Sequence, residues 1–599
     1  MLSQPPASDL MDRPAFLGVT ASLTGRQWQA RTYDARVAEA LQQRFALPEL
    51  LARSMAGRGV SLEQAVDYLE PTLRALMPNP SVFQGMEPAV TRLVQAIKQQ
   101  ESITVFGDYD VDGGTSSALV LRFLRHCGLQ AALYIPDRIA EGYGPNPVAM
   151  ERIAAQGSSL VICVDCGTTA HVPLQRARDL GLAVIVLDHH TAEPSLPPCV
   201  ALVNPNRLDD TSGQGHLCAA GVTYLFIVAV NRALRSAGFY AASITEPDLL
   251  QWLDLVALGT VADVVPLVGL NRAFVSQGLR ILSRTCNAGL AALMQVGRAT
   301  MPPDAFTAGF ILGPRVNAGG RIGQSDLGAR LLACDDEGEA MALAIQLDQH
   351  NAERREVEAD VLAAAEYQAQ QQGDAPFLLI AGEGWHPGVI GIVASRLKDR
   401  YHRPTFVIGL DGDMGKGSGR SIRGLDLGAM VIAARQAGLL INGGGHAMAA
   451  GLTVARDMVN PLRQFMQERT AHYLAASPIV PSVTLDGLVS GAAATPDFID
   501  QLERLKPFGT GNPEPRFVLP ACKIVRADVV GQNHVRVIFT CGGARVTGIA
   551  FRVLDQALGA ALLQSKGQAL HLAGYLRPDN WNGRNGVQLQ IDDAAFVHE

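Results

Sequence analysis

The chain has 599 residues, 48% of them hydrophobic and 18% charged, with a formal net charge of −7. That composition describes a globular chain with ample apolar material, and a prior of roughly 150 residues per domain gives about four domains. Nine cysteines, an odd number spread over the whole length, argue against a disulfide framework. The N-terminal stretch MLSQPPASDLMDRP has no apolar signal core behind a basic start. The longest apolar runs, such as LFIVAV at 225–230, fall short of the roughly 20 residues that span a bilayer. The expectation is a soluble cytoplasmic protein with no membrane association.

Residues 1–80 read as a helical N-terminal extension. SLEQAVDYL at 61–69 opens with a capping-box pattern, Ser61 to Gln64. From 81 to 275 strands and helices alternate. SITVFG, AALYIPD, LVICVDCG, AVIVLDHH and ALVNP are short and nearly continuous apolar runs, as strands buried on both faces of a parallel sheet require. An α/β domain with a doubly wound sheet follows. Cys163 and Cys166 have C-x-x-C spacing, but no second pair exists to complete a zinc site, so they read as small apolar residues of a buried strand.

Residues 276–375 combine a basic segment with a long helix. Between Asn271 and Arg330 stand seven Arg and two Asp. The stretch 337–371 has no proline and one glycine, and reads as one helix on the order of 50 Å long. A second α/β unit occupies 376–474, and from Gly391 to Leu425 it carries seven Lys or Arg against three Asp. Such patches suit a phosphate-bearing partner despite the overall acidity. AASPIVPS at 475–482 reads as a linker. After it, residues 483–599 hold β-patterned segments such as HVRVIFT and VQLQI and the turn-rich RPDNWNGRNG, which predict a small β-barrel, with an open sandwich as the alternative.

The first strand runs into GDYDVDGG, residues 107–114, where Asp108, Asp110 and Asp112 alternate. A calcium loop would begin this way, but it needs a bidentate Glu at its twelfth position and a preceding helix. The twelfth residue from Asp108 is Leu119, and a strand precedes it. Two later strands also end in acid, at Asp165 and at Asp188-His189-His190. In an open parallel sheet the carboxyl ends of the strands converge on one edge, so these side chains gather in one crevice. Asp263, an acid within the apolar LGTVADVVPL, is a further candidate. So many carboxylates stay together only with cations between them. Oxygen ligands with one or two imidazoles suit Mn²⁺ or Mg²⁺, and two such ions about 4 Å apart form a common arrangement for phosphoester hydrolysis.

VDCG, LDHH and GDYDVDG resemble the DHH phosphoesterase superfamily. GPRVNAGGRIG (313–323), GWHPGVIGIVASRL (384–397), KGSGRSIRG (416–424), NGGGHAMAAG (442–451) and LKPFGTGNPEPRF (505–517) are similar to its RecJ branch, over roughly residues 70–599. The resemblance implies a DHH domain, a DHHA1 domain and an OB-like barrel, and a single-strand-specific 5′→3′ DNA exonuclease of recombination and repair. It places the metal ligands on Asp110, Asp112, Asp165, His189 and Asp263, with Asp165 as the bridge. Asp108 adds a carboxylate or accepts a proton, His190 donates to the scissile phosphate, and Asp188 orients the histidines. It also implies a monomer working with a helicase and a single-strand-binding protein. One departure stands out: where the superfamily often has a His, this chain has Phe106. The expectation is that Phe106 faces the crevice and leaves the first ion an all-oxygen set.

In the second α/β unit, the run Gly443-Gly444-Gly445-His446 lets backbone N–H groups approach a phosphate closely. Ser418, Arg420 and Ser421 are read as a pocket for a 5′ phosphate, with Arg315, Asn317 and Arg321 facing the same cleft. In the barrel, Trp581 with Arg577 and Arg584 are candidates for stacking and backbone contacts with single-stranded DNA. Two other readings compete. A phosphodiesterase or pyrophosphatase for small substrates needs only the two catalytic units, and the extra regions argue against it. A replication scaffold without activity would have lost its ligands, and this chain keeps them.

Overall fold

The computed structural model describes residues 14–597, apart from 139, 242–243, 566 and 580–585. The chain divides into two compact units, one of residues 71–476 and one that joins the N-terminal 70 residues to 477–599. The division falls inside the Pro- and Ser-bearing stretch 475–482.

The larger unit begins with a five-stranded, all-parallel sheet. Its order is Ala132–Tyr134, Ile103–Gly107, Leu160–Val164, Ala183–Leu187, Ala201–Val203. All five expected strands are present. Alternate residues feed two apolar layers: Val105, Ile162 and Ile185 lie in one, and Phe106, Cys163 and Val186 in the other. That is why the runs lack polar alternation. The register aligns Gly107, Val164, Leu187 and Val203 across four strands. The next residue of each strand is therefore Asp108, Asp165, Asp188 or Asn204, four polar groups in a row at the carboxyl edge. The strand order reverses between Ile103–Gly107 and Leu160–Val164, and such a switch point is where open α/β sheets place their ligands.

Helix Glu337–Gln371 is continuous, as the sequence predicts, and Asp336 caps it by accepting the Glu339 N–H at 2.7 Å. It leads to a second sheet ordered Asn442–His446, Ala449–Ala455, Met414–Arg420, Thr405–Asp411, Leu378–Glu383. In Met414–Arg420 the glycines alternate with larger residues. A Cβ on Gly417 would lie 2.7 Å from Leu452 Cδ1, and one on Gly419 2.6 Å from the Phe406 ring. The core side of this strand has room only for glycine, so Lys416, Ser418 and Arg420 occupy the other face.

In the other unit, five strands close into a barrel: Phe517–Val530, His534–Cys541, Ala544–Ala550, Gly586–Phe596 and Ala569–Asp579, the last pairing back to the first. The N-terminal residues are no separate extension. Leu41, Leu51 and Met55 share a core with Phe517, Phe539 and Leu572, and the strand Gln27–Ala30 pairs with Ser482–Leu485. A small barrel leaves apolar surface outside, and these helices cover part of it. The capping box is present, with Ser61 N–H donating to Gln64 Oε1 at 3.2 Å and Gln64 N–H to Ser61 Oγ at 3.4 Å. Among the described residues no helix is long and apolar enough to cross a membrane. Trp581 and Arg584 lie outside the described residues, and the Arg577 guanidinium is bonded to Glu514.

Candidate active site

Asp110 caps helix Val111–His126, accepting the Gly113 N–H at 3.0 Å. The chain turns so tightly here that a Cβ on Gly113 would lie 2.4 Å from the Asp108 carbonyl oxygen. Asp112, in the first helical turn, is buried and accepts the N–H groups of Ala219 and Ala220 at 2.6 and 2.9 Å. Those donors open helix Ala219–Ser236, a positive end that favours a carboxylate. Helix Leu253–Ala262 approaches through Gly259, whose Cβ would lie 2.9 Å from Asp112 Oδ1. That close approach delivers Asp263, which follows the helix.

Asp165 follows its strand in the left-handed region, at φ 59°, which costs a non-glycine residue on the order of 1 kcal/mol. His189 Nε2 lies 3.4 Å from Asp165 Oδ1, 3.6 Å from Asp263 Oδ2 and 3.8 Å from Asp112 Oδ2. Asp108, Asp110 and Asp165 form a second group whose oxygens converge, and Asp165 with His189 and His190 forms a third. Asp165 belongs to two groups and Asp112 and Asp263 to one, so the structure brings together every residue of the expected ligand set. Asp188 faces away from it. Its carboxylate accepts the N–H groups of Thr168 at 3.0 Å, His189 at 2.7 Å and His190 at 3.2 Å, and the Nδ1–H of His190 at 2.8 Å.

Burial, then the neighbouring carboxylates, pushes Asp108 and Asp165 well above the usual carboxylate range and raises Asp263 to about 8. Asp188 is lowered despite its burial, because His190 and Thr168 donate to it. Burial opposes the proton on His190, but the Asp188 hydrogen bond together with the charges of Asp188, Asp263 and Asp108 outweighs it and raises the imidazole to about 9. Asp108 Oδ1, His189 Nε2 and Asp263 Oδ2 are buried without a hydrogen-bond partner. Orphaned ligand atoms in a crowd of carboxylates are what divalent cations satisfy. The donor set fits Mn²⁺ or Mg²⁺, hard ions with a tolerance for one imidazole.

Beside the carboxylates lies positive charge. A cavity of about 150 Å³ is lined by Ala262, Gly309, Gly313, Asn317, Arg321 and Arg354, among others. Arg321 is held by the Gly388 carbonyl at 2.8 Å. Burial and then the neighbouring Arg138 and Arg354 lower it to about 10. Burial and Arg138 also lower Arg420. Arg354 is paired with Glu358 at 2.9 Å, whereas among the described residues Arg321 and Arg420 have no carboxylate within ion-pair distance. On the second sheet, cross-strand pairs put Ser418, Gly451 and Gly444 in one row and Arg420, Ala449 and His446 in the next. Directly paired residues share a face, so Ser418, Arg420, Gly444 and His446 look out from one surface, with almost no side chain between them.

Three expectations fail. Arg315 is buried and bonded to Asp348 Oδ1 at 2.8 Å and the Ile311 carbonyl at 2.7 Å, which ties its helix to the long helix, and it does not line the cavity. Ser421 is fully buried and donates to the Leu425 carbonyl at 2.7 Å, because it leaves the strand one residue past the exposed face. Phe106 is fully buried and stacks on Tyr134 at 5.3 Å in the layer with Met150 and Ile153. It packs against the sheet away from the crevice, so it bears on no ion. The sequence reading also missed Tyr143, whose hydroxyl reaches the Asp165 carbonyl at 3.1 Å and His190 Nδ1 at 3.3 Å. Arg138 and Arg354 were missed as well. The polar run DRIAEGYGPN after the strand Ala132–Tyr134 carries a signal for the first two.

Family models match three parts of the chain: the DHH family N-terminal domain at 102–260, the DHHA1 domain at 374–471 and the RecJ OB domain at 485–593. A single-stranded-DNA-specific exonuclease RecJ of Dickeya dadantii is 38% identical over 560 residues, covering 91% of this chain and 96% of the relative. The crystal structure of RecJ in complex with Mn²⁺ from Thermus thermophilus superposes with a TM-score of 0.79 at 29% identity, covering 95% of this chain and 79% of that one. The complex with Mg²⁺ from the same organism gives 0.74 at 27% identity, covering 95% and 78%.

Proposed function

Because the chain belongs to the RecJ family, we propose that it is a metal-dependent exonuclease that hydrolyses single-stranded DNA in the 5′ to 3′ direction during recombination and repair. The observation that carries this reading is the row of carboxylates at the switch point of the sheet, shared between ligand groups through Asp165 and lying beside a cluster of arginines. Asp108, Asp110 and Asp165 would hold one ion, and Asp112, Asp165, His189 and Asp263 the other. Bound there, two divalent ions supply positive charge to the scissile phosphate and make the attacking water more acidic. Asp188 locks the His190 ring through Nδ1, which leaves Nε2 to donate a proton or hydrogen bond to the phosphate. Tyr143 braces the same ring. Asn317, Arg321, Arg138 and Arg354 hold the phosphates that follow.

Direction rests on the second sheet. Ser418 and Arg420, with the open backbone of Gly444 and His446 beside them, form a surface for a terminal 5′ phosphate. The barrel of the other unit offers a further surface for single-stranded DNA. A phosphodiesterase for small substrates has no use for that barrel. We further propose a cytoplasmic monomer that works with a helicase and a single-strand-binding protein.

End-labelled strands test this reading. With Mn²⁺ or Mg²⁺, label should leave the 5′ end of single strands first, and duplex should be spared. Arg420→Ala should slow 5′-phosphorylated strands about 10-fold more than strands ending in a hydroxyl, the worth of one charge-assisted contact. Equal losses on the two ends would make Arg420 a general backbone contact, and release from the 3′ end would reject the proposed direction.

A further inference from the structure

Phe306 and Phe310 stand in water. They are 59% and 67% exposed, and their rings stack with centroids 5.0 Å apart and planes 21° apart. Burying a phenylalanine is worth about 1.5–3 kcal/mol, so a pair left out beside a functional site points to an occupant. They bracket the start of Thr307–Leu312, a π-helical turn, a conformation that is rare and concentrated at functional sites.

Their place in the site is set by two glycines. Gly309 and Gly313 line the cavity with Asn317, Arg321 and Arg354. A Cβ on Gly309 would lie 3.3 Å from Val261 Cγ1, and one on Gly313 3.6 Å from Ala262 Cβ. The turn therefore rests on the end of the helix that delivers Asp263, and Phe306 and Phe310 belong to the same turn as Gly309, which lines the cavity with the arginines. Guanidiniums along a cavity hold phosphates, and a flat aromatic face next to them holds a base. Stacking suits an enzyme that must accept every sequence, because each base offers a π face.

We propose that Phe306 and Phe310 form a platform on which one base of the single strand stacks while its backbone runs past the arginines towards the carboxylates. This rests on the proposed action on single-stranded DNA. It adds a binding position for a nucleobase, in the larger unit and independent of the barrel.

The test uses the full chain with Mn²⁺ and a short single strand in which one nucleotide at a time lacks its base. In the wild-type protein, one baseless position should lower kcat/KM by about 5- to 150-fold, the range of a base–aromatic stack. Phe310→Ala should lose a similar factor on the intact strand and become insensitive to that position, and Phe310→Trp should restore both. Phe306→Ala should weaken the same position to a smaller degree. If Phe310→Ala stays within about twofold of wild type, or the penalty at every baseless position is the same in wild type and variant, the platform is rejected. A wild-type protein that degrades no single strand would instead reject the proposed function itself, so the two failures are distinguishable.

Discussion

Asp165→Asn should lower kcat by about 1,000-fold or more, equivalent to about 4 kcal/mol of transition-state stabilisation, while strand affinity stays within about threefold of wild type. Asparagine keeps the size of the side chain and removes the charge. Two of the three ligand groups use Asp165 oxygens directly alongside other carboxylates or His189, so the loss reaches both. The arginines of the cavity and the barrel are untouched, which leaves binding to the backbone intact. The left-handed conformation at φ 59° is accepted by asparagine more readily than by most residues, so the variant should fold. Single-turnover rates and binding measured in calcium or chelator separate the two quantities. A variant that keeps more than a few per cent of the wild-type rate would remove Asp165 from the shared position.

His190→Ala should lower kcat by about 100- to 10,000-fold, the usual weight of a positioned acid or base. The ring is fixed at Nδ1 by Asp188 at 2.8 Å, and against its burial that bond and the charges of Asp188, Asp263 and Asp108 together keep the proton on the imidazole up to about pH 9. The folded value lies above the ordinary 6.5, so the protonated form dominates below about 9 and is lost as pH rises through it. The wild-type rate should fall along that limb, and the residual rate of His190→Ala should lack it. Asp188→Asn should act in the same direction through the ring, moving the limb to lower pH because the partner that holds the proton is weakened. An unchanged limb in both variants would assign the pH dependence to another group.

The carboxylate row was legible because parallel strands end at one edge, so an acid after each apolar run is enough to place it. The register of Gly107, Val164 and Leu187 turns that inference into adjacency. Phe106 was not legible for a related reason. Its strand is buried on both faces, and a run without polar alternation does not say which residue points which way. Ser418 and Arg420 could have been separated from Ser421 by the alternating glycines of KGSGR, which put every second residue on the core side. Arg315 carried no such signal, because its partner Asp348 lies on another helix. Arg354 belongs to that same long helix and enters the site only through the packing of the two. The covering of the barrel by residues from the N-terminal 70 joins segments more than 400 positions apart, a pairing that no local pattern announces.

Anomalous diffraction at the manganese edge from crystals soaked in Mn²⁺ tests the shared carboxylate of Asp165 most directly. Two peaks should appear about 4 Å apart, one beside Asp108 and Asp110, the other beside Asp112, His189 and Asp263, with an oxygen of Asp165 reaching each. A single peak, or two peaks of which Asp165 touches only one, would contradict the two-ion site.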